Sequence, residues 1–252
     1  FIGLENINPE SLMGAKKRQN KIWEYREMFL AWRQAKVMTY AGYILGFPTD
    51  TPESIARDIE IIKKELPIEL LEFFFLTPLP GSEDHKTLYT RGVPMDPDMN
   101  NYDLAHACTA HATMSKEAWE RVYANAWVRY YSDQHVETIM RRAVATGINR
   151  TKIFDAITVF RGAASVEGVH PLQFGFVRRK IRTQRRPGLP VVNPFVFYPW
   201  RAFDFLKVGY RWWRLIRHHR AILKRIVADP AAESYTDEAL QPVAATPTGN
   251  FV

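Results

Sequence analysis

Cysteine is nearly absent: Cys108 is the single one in 252 residues. A disulfide framework is thereby excluded, as is any centre that draws several thiolates from this chain alone, and a reducing, cytoplasmic home is expected. No uninterrupted apolar run reaches the ~18 residues that a bilayer-spanning helix needs. No signal peptide is visible, and the chain opens without Met, directly inside an apolar segment. Phosphate-loop, zinc-protease and serine-hydrolase signatures are missing too. What is present, at 46% hydrophobic residues, suffices for a core and for one to two domains.

The most informative stretch is Gly-Tyr-Ile-Leu-Gly-Phe-Pro-Thr-Asp-Thr-Pro-Glu-Ser, residues 42–54. Ala41 to Phe47 is a continuous apolar run bounded by turn residues, which suits a strand covered on both faces. Gly42 and Gly46 leave one edge of it without side chains, so a flat ligand could lie against the backbone; the same glycines would serve close packing of a helix on the sheet. Pro48 stops the strand, Thr51 is placed to cap the next helix, and Pro52 fits its first position. Ile55, Ile59, Ile62 and Leu66 then recur at helical spacing, with Arg57, Asp58, Lys63 and Lys64 expected outside.

Upstream, Phe1-Ile2-Gly3-Leu4-Glu5-Asn6 reads as the end of another strand, with Asn8-Pro9-Glu10 opening a helix. Downstream, Leu70-Leu71-Glu72-Phe73-Phe74-Phe75-Leu76 is a third, leading into Thr77-Pro78-Leu79-Pro80-Gly81-Ser82. The alternation implies an α/β unit with parallel crossovers.

In this order and spacing, Ile-Gly-Leu-Glu-x-Ile-Asn, Gly-x-Ile-x-Gly-Phe-Pro and Leu-Thr-Pro-Leu-Pro-Gly-Ser resemble the fourth, fifth and sixth strands of a radical S-adenosylmethionine (SAM) enzyme core, especially in members with a cobalamin-binding domain. The resemblance covers roughly residues 1–90, and more loosely the helical region to about 145. It implies the second half of a partial (β/α)6 TIM-like barrel followed by a mostly helical C-terminal region. It also implies that Gly42, Ile44 and Gly46 lie beside the SAM adenine, with Phe47 and Pro48 forming the turn. Glu5 would sit near the cofactor's polar portion, and Thr77 and Ser82 near the barrel mouth. Thr49 stands where the family commonly has glycine.

The resemblance further implies a 4Fe–4S cluster held by three closely spaced cysteines, and Cys108 alone cannot supply them. The expectation is therefore a C-terminal piece of a longer enzyme whose missing N-terminal part carries the cluster ligands. That enzyme would act on a C–H bond of a small-molecule, hydrophobic substrate, with cobalamin as a further cofactor. The alternative is a noncatalytic binding module on a cluster-less barrel.

The net charge of +7 is concentrated. Arg178 to Arg225 holds fourteen Lys and Arg against Asp204 alone, about +13, which leaves about −6 for the rest. A helix is predicted from about Pro199 to Val227. Its apolar line is Phe205, Val208, Trp212, Leu215, His219, Ile222 and Ile226, flanked by Leu206 and Trp213, with Lys207, Arg211 and Arg214 opposite. Three readings stay open: packing on the body, docking of Arg211, Trp212, Trp213 and Arg214 on an anionic membrane surface, and nucleic-acid binding. The last is weakest, since no recognised binding module accompanies the charge. The expected localisation is cytoplasmic, peripheral at the inner face of the membrane if the helix docks there.

Helices are also predicted over Tyr102–Thr113, Lys116–Tyr131, Asp133–Thr146 and Lys152–Ala164, and disorder over the Pro-, Ala- and Thr-rich tail from Asp229. The implied divisions are residues 1–95, 96–165, 166–228 and 229–252. Asp96, Asp98 and Asn100 imitate a calcium loop but lack its Gly and Glu. His106, Cys108 and His111 do not share a helical face, so metal binding is not expected there. His85 is a candidate acid/base group at the barrel mouth or a surface His at a helix start.

Overall fold

The computed structural model describes residues 1–8, 22–175, 178 and 180–242. Three strands, β1 (Ile2–Glu5), β2 (Tyr40–Leu45) and β3 (Leu70–Phe75), form one parallel sheet in the order β1-β2-β3. Helices α1 (Ile22–Gln34) and α2 (Pro52–Glu65) lie between them. A mostly helical region follows: α3 (Glu83–Thr90), α4 (Lys116–Tyr130), α5 (Asp133–Thr146), α6 (Arg150–Gly162) and the 34-residue α7 (Pro194–Val227). Among the described residues the sheet is open, with no closed barrel. The helix expected to open at Asn8-Pro9-Glu10 lies outside the described residues from Pro9 onward.

Local chemistry explains the first elements. β2 stops where Gly46 turns to φ 99°, a conformation open to glycine. Thr51 Oγ1 accepts from the Ser54 N–H at 3.1 Å and Ser54 Oγ accepts from the Thr51 N–H at 2.9 Å, a reciprocal cap that starts α2. Ile55, Ile59, Ile62 and Leu66 are buried as their spacing predicts. Asp58 is not outside as expected: it is buried and accepts from the Tyr43 hydroxyl at 3.0 Å, which ties α2 to β2.

The sheet has two distinct faces. Tyr43 and Phe73 point to the side covered by α2 and by Trp127 and Tyr130 of α4. The Tyr130 hydroxyl donates to the Ile68 carbonyl at 3.0 Å, and that of Tyr131 to the Leu71 carbonyl at 2.9 Å, locking α4 along the edge strand. Register places Gly3, Gly42 and Glu72 side by side on the other face. Phe160 of α6 lies edge-on to Tyr40 there, and His170 covers Phe74.

Other expectations need correction. Residues 102–113 are not a helix but an irregular segment that closes over the end of β3. Leu104 takes φ 68° and accepts from the Phe75 N–H at 2.9 Å, while Thr109 bridges to Met95. The tail expected to be disordered folds back over residues 229–242, burying Ala232 and Ala239 and setting Asp237 2.7 Å from Arg142. Residues 243–252 lie outside the described residues. The basic helix begins earlier than expected, at Pro194, and holds Pro199 in its second turn. Phe205 is 49% exposed, so the apolar line expected to face inward does so at Trp212, His219, Ile222 and Ile226.

Candidate functional site

Because the strands are parallel, their carboxyl ends share one edge of the sheet, where α/β proteins place ligands. Glu5 ends β1 at φ 58°, rare for a residue with a side chain, just past a bulge in its pairing with β2. Gly46 follows β2, and Leu76 and Thr77 follow β3. Glu5 and Thr77 are half-buried, as is Ile44, which pairs with Phe74 on the open face.

The Gly46–Asp50 turn is held by its own acid. Asp50 is fully buried, and its Oδ2 accepts from the Gly46 and Phe47 N–H groups, both at 2.9 Å. The Asp50 N–H closes the turn on the Phe47 carbonyl at 2.8 Å. Thr49 and Pro48 face outward, so their side chains leave the turn closed. The irregular segment braces it: His111 Nε2 donates to the Phe47 carbonyl at 2.9 Å, which leaves Nδ1 to accept from the Thr113 and Met114 N–H groups. Thr113 Oγ1 donates to the Asp50 carbonyl at 2.6 Å.

The two glycines of β2 do different work. A side chain at Gly46 would run into the Trp119 indole, so this glycine makes room for α4. A Cβ at Gly42 would stand 3.1 Å from the rings of Phe1 and Phe74, and one at Gly3 would meet only Glu5, at 3.8 Å. Gly3 and Gly42 thus form a side-chain-free strip of backbone that is open at Gly3 and, at buried Gly42, covered by the rings of Phe1 and Phe74.

Beside that strip sits Glu72, an acid that its apolar strand does not mark as functional in the sequence. It is 1% exposed, neither carboxylate oxygen has a hydrogen bond, and burial raises its carboxyl to about 7. His170 Nε2 lies 3.2 Å from Oε1, but not in hydrogen-bonding geometry, and burial lowers the pKa of that imidazole. The signal was a lone carboxylate in an otherwise apolar strand. Asn6, fully buried behind Glu5, has an Nδ2 without a hydrogen-bond partner.

The remaining candidates scatter. Thr77 Oγ1 lies 3.2 Å from the Phe75 carbonyl and bonds Cys108, whose thiol burial pushes up. Ser82 Oγ caps α3 by accepting from the His85 N–H at 3.1 Å, and the His85 ring lies edge-on to Tyr102. His106 pairs with Asp103, Asp96 with Lys116 and Asp98 with Arg186. No cluster of three His, Cys, Asp or Glu able to hold a metal occurs among the described residues. On α7, Trp212 is buried over Gly162 with Nε1 donating to Glu167 at 2.8 Å, and Arg211 donates to the Val166 carbonyl at 3.2 Å. Trp213 and Arg214 are exposed.

No family model matches the chain. A stretch of 105 residues is 29% identical to bacteriochlorophyllide d C-12(1)-methyltransferase of Chlorobaculum tepidum, covering 42% of this chain and 22% of that protein. The matched stretch therefore spans about a fifth of the relative's length. The similarity is partial, and it is to an enzyme.

Chemically, the edge offers exposed backbone at Gly3, an amide donor at Asn6 and an acid at Glu5, with Glu72 buried behind it in mid-strand. These suit a planar ring with polar substituents. A 4Fe–4S cluster does not fit the residues of this chain: one buried, hydrogen-bonded thiol is the whole of its sulfur-ligand supply.

Proposed function

We propose that residues 1–90 are the SAM-binding second half of a radical SAM core, working within a longer protein that supplies the cluster cysteines. The observation that carries this reading is the pairing of Gly3 with Gly42 in three parallel strands that follow the order of the family's motifs, with Glu5 at the carboxyl end of the first. The partial similarity to a radical SAM methyltransferase supports it. The adenine would lie along Gly3 and take the place of the Phe1 ring over Gly42, with Ile44 as apolar contact, the cofactor's polar groups would meet Glu5 and Asn6, and Asp50 would fix the Gly46–Phe47 turn. SAM would supply the activated group; this chain's residues bind and orient it. The substrate would be a small hydrophobic molecule held across the same edge.

The test is to read the coding frame upstream of Phe1 and then titrate SAM into the longer, anaerobically reconstituted protein. An in-frame Cys-x-x-x-Cys-x-x-Cys after a predicted strand is expected, with SAM affinity about tenfold weaker in Gly42→Ala, a loss of ~1.4 kcal/mol. A start codon at this boundary with no cysteines upstream would overturn the enzyme reading in favour of a noncatalytic scaffold. Unchanged affinity in Gly42→Ala would remove the adenine assignment.

A further inference from the structure

Helix α7 has two apolar faces, and the body of the protein covers one. The inner face carries Phe197, Trp212, His219, Ile222 and Ile226, all buried. His219 Nδ1 meets Thr158 Oγ1 at 2.9 Å, and Trp212 rests on Gly162, so this face is fixed to α6 and the turn after it. On the opposite side Phe203, Leu206, Tyr210 and Trp213 follow one another at spacings of three and four and are 65%, 69%, 59% and 50% exposed. Of the 21 large hydrophobic residues exposed among the described ones, eleven fall between Leu189 and Trp213. Scattered exposed apolar residues need no explanation, but a contiguous stripe on one helix does.

Charge says what the stripe fits. Beyond Trp213 the same helical line continues as Arg217, Arg220 and Lys224, and Lys207 and Arg214 flank it. Cations lie directly on its rings: Arg217 stands 4.8 Å from the Trp213 ring centre, Arg214 6.0 Å from that of Tyr210, and Lys180 5.0 Å from that of Trp200. The helix holds one acid, Asp204, which pairs with Arg201 at 2.6 Å. With the basic run that precedes the helix, residues 178–225 carry about +13 while the rest of the chain carries about −6, so an anionic surface would attract one part of the molecule and repel the other. The helix is nevertheless too charged to cross a bilayer: among the described residues no helix is long and apolar enough.

We propose that α7 docks the protein on an anionic phospholipid surface, lying in the plane of the interface. Phe203, Leu206, Tyr210 and Trp213 enter the headgroup–acyl boundary, and Lys207, Arg214, Arg217, Arg220 and Lys224 meet lipid phosphates. Arg211 and Trp212 act differently, since their contacts hold the helix to the body. The inference stands apart from the cofactor reading, because no residue of the strand ends takes part in it.

The experiment is cosedimentation of the full 252-residue chain with vesicles of phosphatidylcholine, with and without phosphatidylglycerol, at low and high salt. Retention on the anionic vesicles at low salt, release at high salt and little retention on the neutral ones are expected. Leu206→Asp combined with Trp213→Asp should cut the partition coefficient about tenfold or more. Both side chains are exposed, so the circular dichroism spectrum and melting temperature should match the parent. Equal retention on neutral vesicles, or a double variant that binds as the parent does, would overturn the proposal. So would a stripe that sustains a dimer in light scattering, or retains single-stranded RNA, while the protein ignores both vesicle types.

Discussion

At the amino end of the sheet buried charges are tied to one another, whereas at the carboxyl end and on the face behind it the well-bonded Asp50 turn stands beside Asn6 and Glu72, whose buried polar atoms include some with no hydrogen bond. Arg33, just before the loop into β2, pairs with Glu69, just before β3, and donates to Thr146 Oγ1 at 3.0 Å and the Pro67 carbonyl at 2.9 Å. Glu69 in turn accepts from the Thr39 N–H at 2.6 Å. Arg142 adds the Asp237 carboxylate at 2.7 Å and the Lys63 carbonyl at 2.9 Å. The other end has left-handed backbone at Glu5 and Gly46, Asn6 Nδ2 without a partner, and, deeper in β3, Glu72 without a hydrogen bond. Interiors satisfy polar groups where the only task is to hold together, and leave them unsatisfied where something else is to bind.

The contrast breaks most visibly at Arg33. Arg33→Met would leave the Glu69 carboxylate buried without its cation and should cost about 4 kcal/mol in urea unfolding. The double variant Arg33→Met, Glu69→Met should recover most of that loss, because no charge stays buried. If single and double variants unfold alike, the amino end is not held by this pair.

Gly46→Ala comes next, at roughly 3 kcal/mol, from a positive φ and a methyl group driven into Trp119. In a Trp119→Leu background the same substitution should cost less than half as much, since only the backbone strain is left. Full additivity of the two changes would mean that the indole does not set the glycine requirement.

Some of this was legible before the fold was known. The Thr51 cap, Pro52 and the Ile55–Ile59–Ile62 spacing are signals within a few residues of one another, and they were enough to place β2 and α2. Gly42 and Gly46 could be picked out but not told apart, because their roles depend on Phe1, Phe74 and Trp119, which are distant in sequence. Residues 102–113 have a helical period but are spent on remote partners: His111 on Phe47, Cys108 on Thr77, Leu104 on Phe75. Trp212 and Trp213 are neighbours in sequence and opposites in burial, which only the position of Gly162 decides. Periodicity suggested one apolar face of α7 where there are two.

Glu72 sharpens the comparison through pH. Its carboxyl rises from the ordinary 4.5 to about 7, so between these values the folded state holds a proton that the unfolded state releases. Stability is therefore lost as pH rises through that window, by about 3 kcal/mol at this one group. His170, whose imidazole burial pushes below its ordinary value, opposes this trend, but it does so in parent and variant alike and cancels in their difference, and Tyr123 and Tyr131 titrate far higher. Glu72→Gln should match the parent near about pH 4 and exceed it by about 3 kcal/mol near about pH 8. A difference between the two proteins that does not change with pH would mean Glu72 ionises as freely as an exposed acid.

The smallest effect is expected where the returning tail meets the amino end. Asp237→Asn keeps an acceptor for Arg142 Nε and removes only the charge, and Arg142 retains the carbonyls of Lys63 and Leu66. The cost should be about 1 kcal/mol, against about 4 kcal/mol for Arg33→Met, because Asp237 is partly open to solvent while Glu69 is not. Equal losses at the two positions would show that the tail is as integral to the amino end as the Arg33–Glu69 pair. The fold of residues 229–242 would then have to be counted as part of the core.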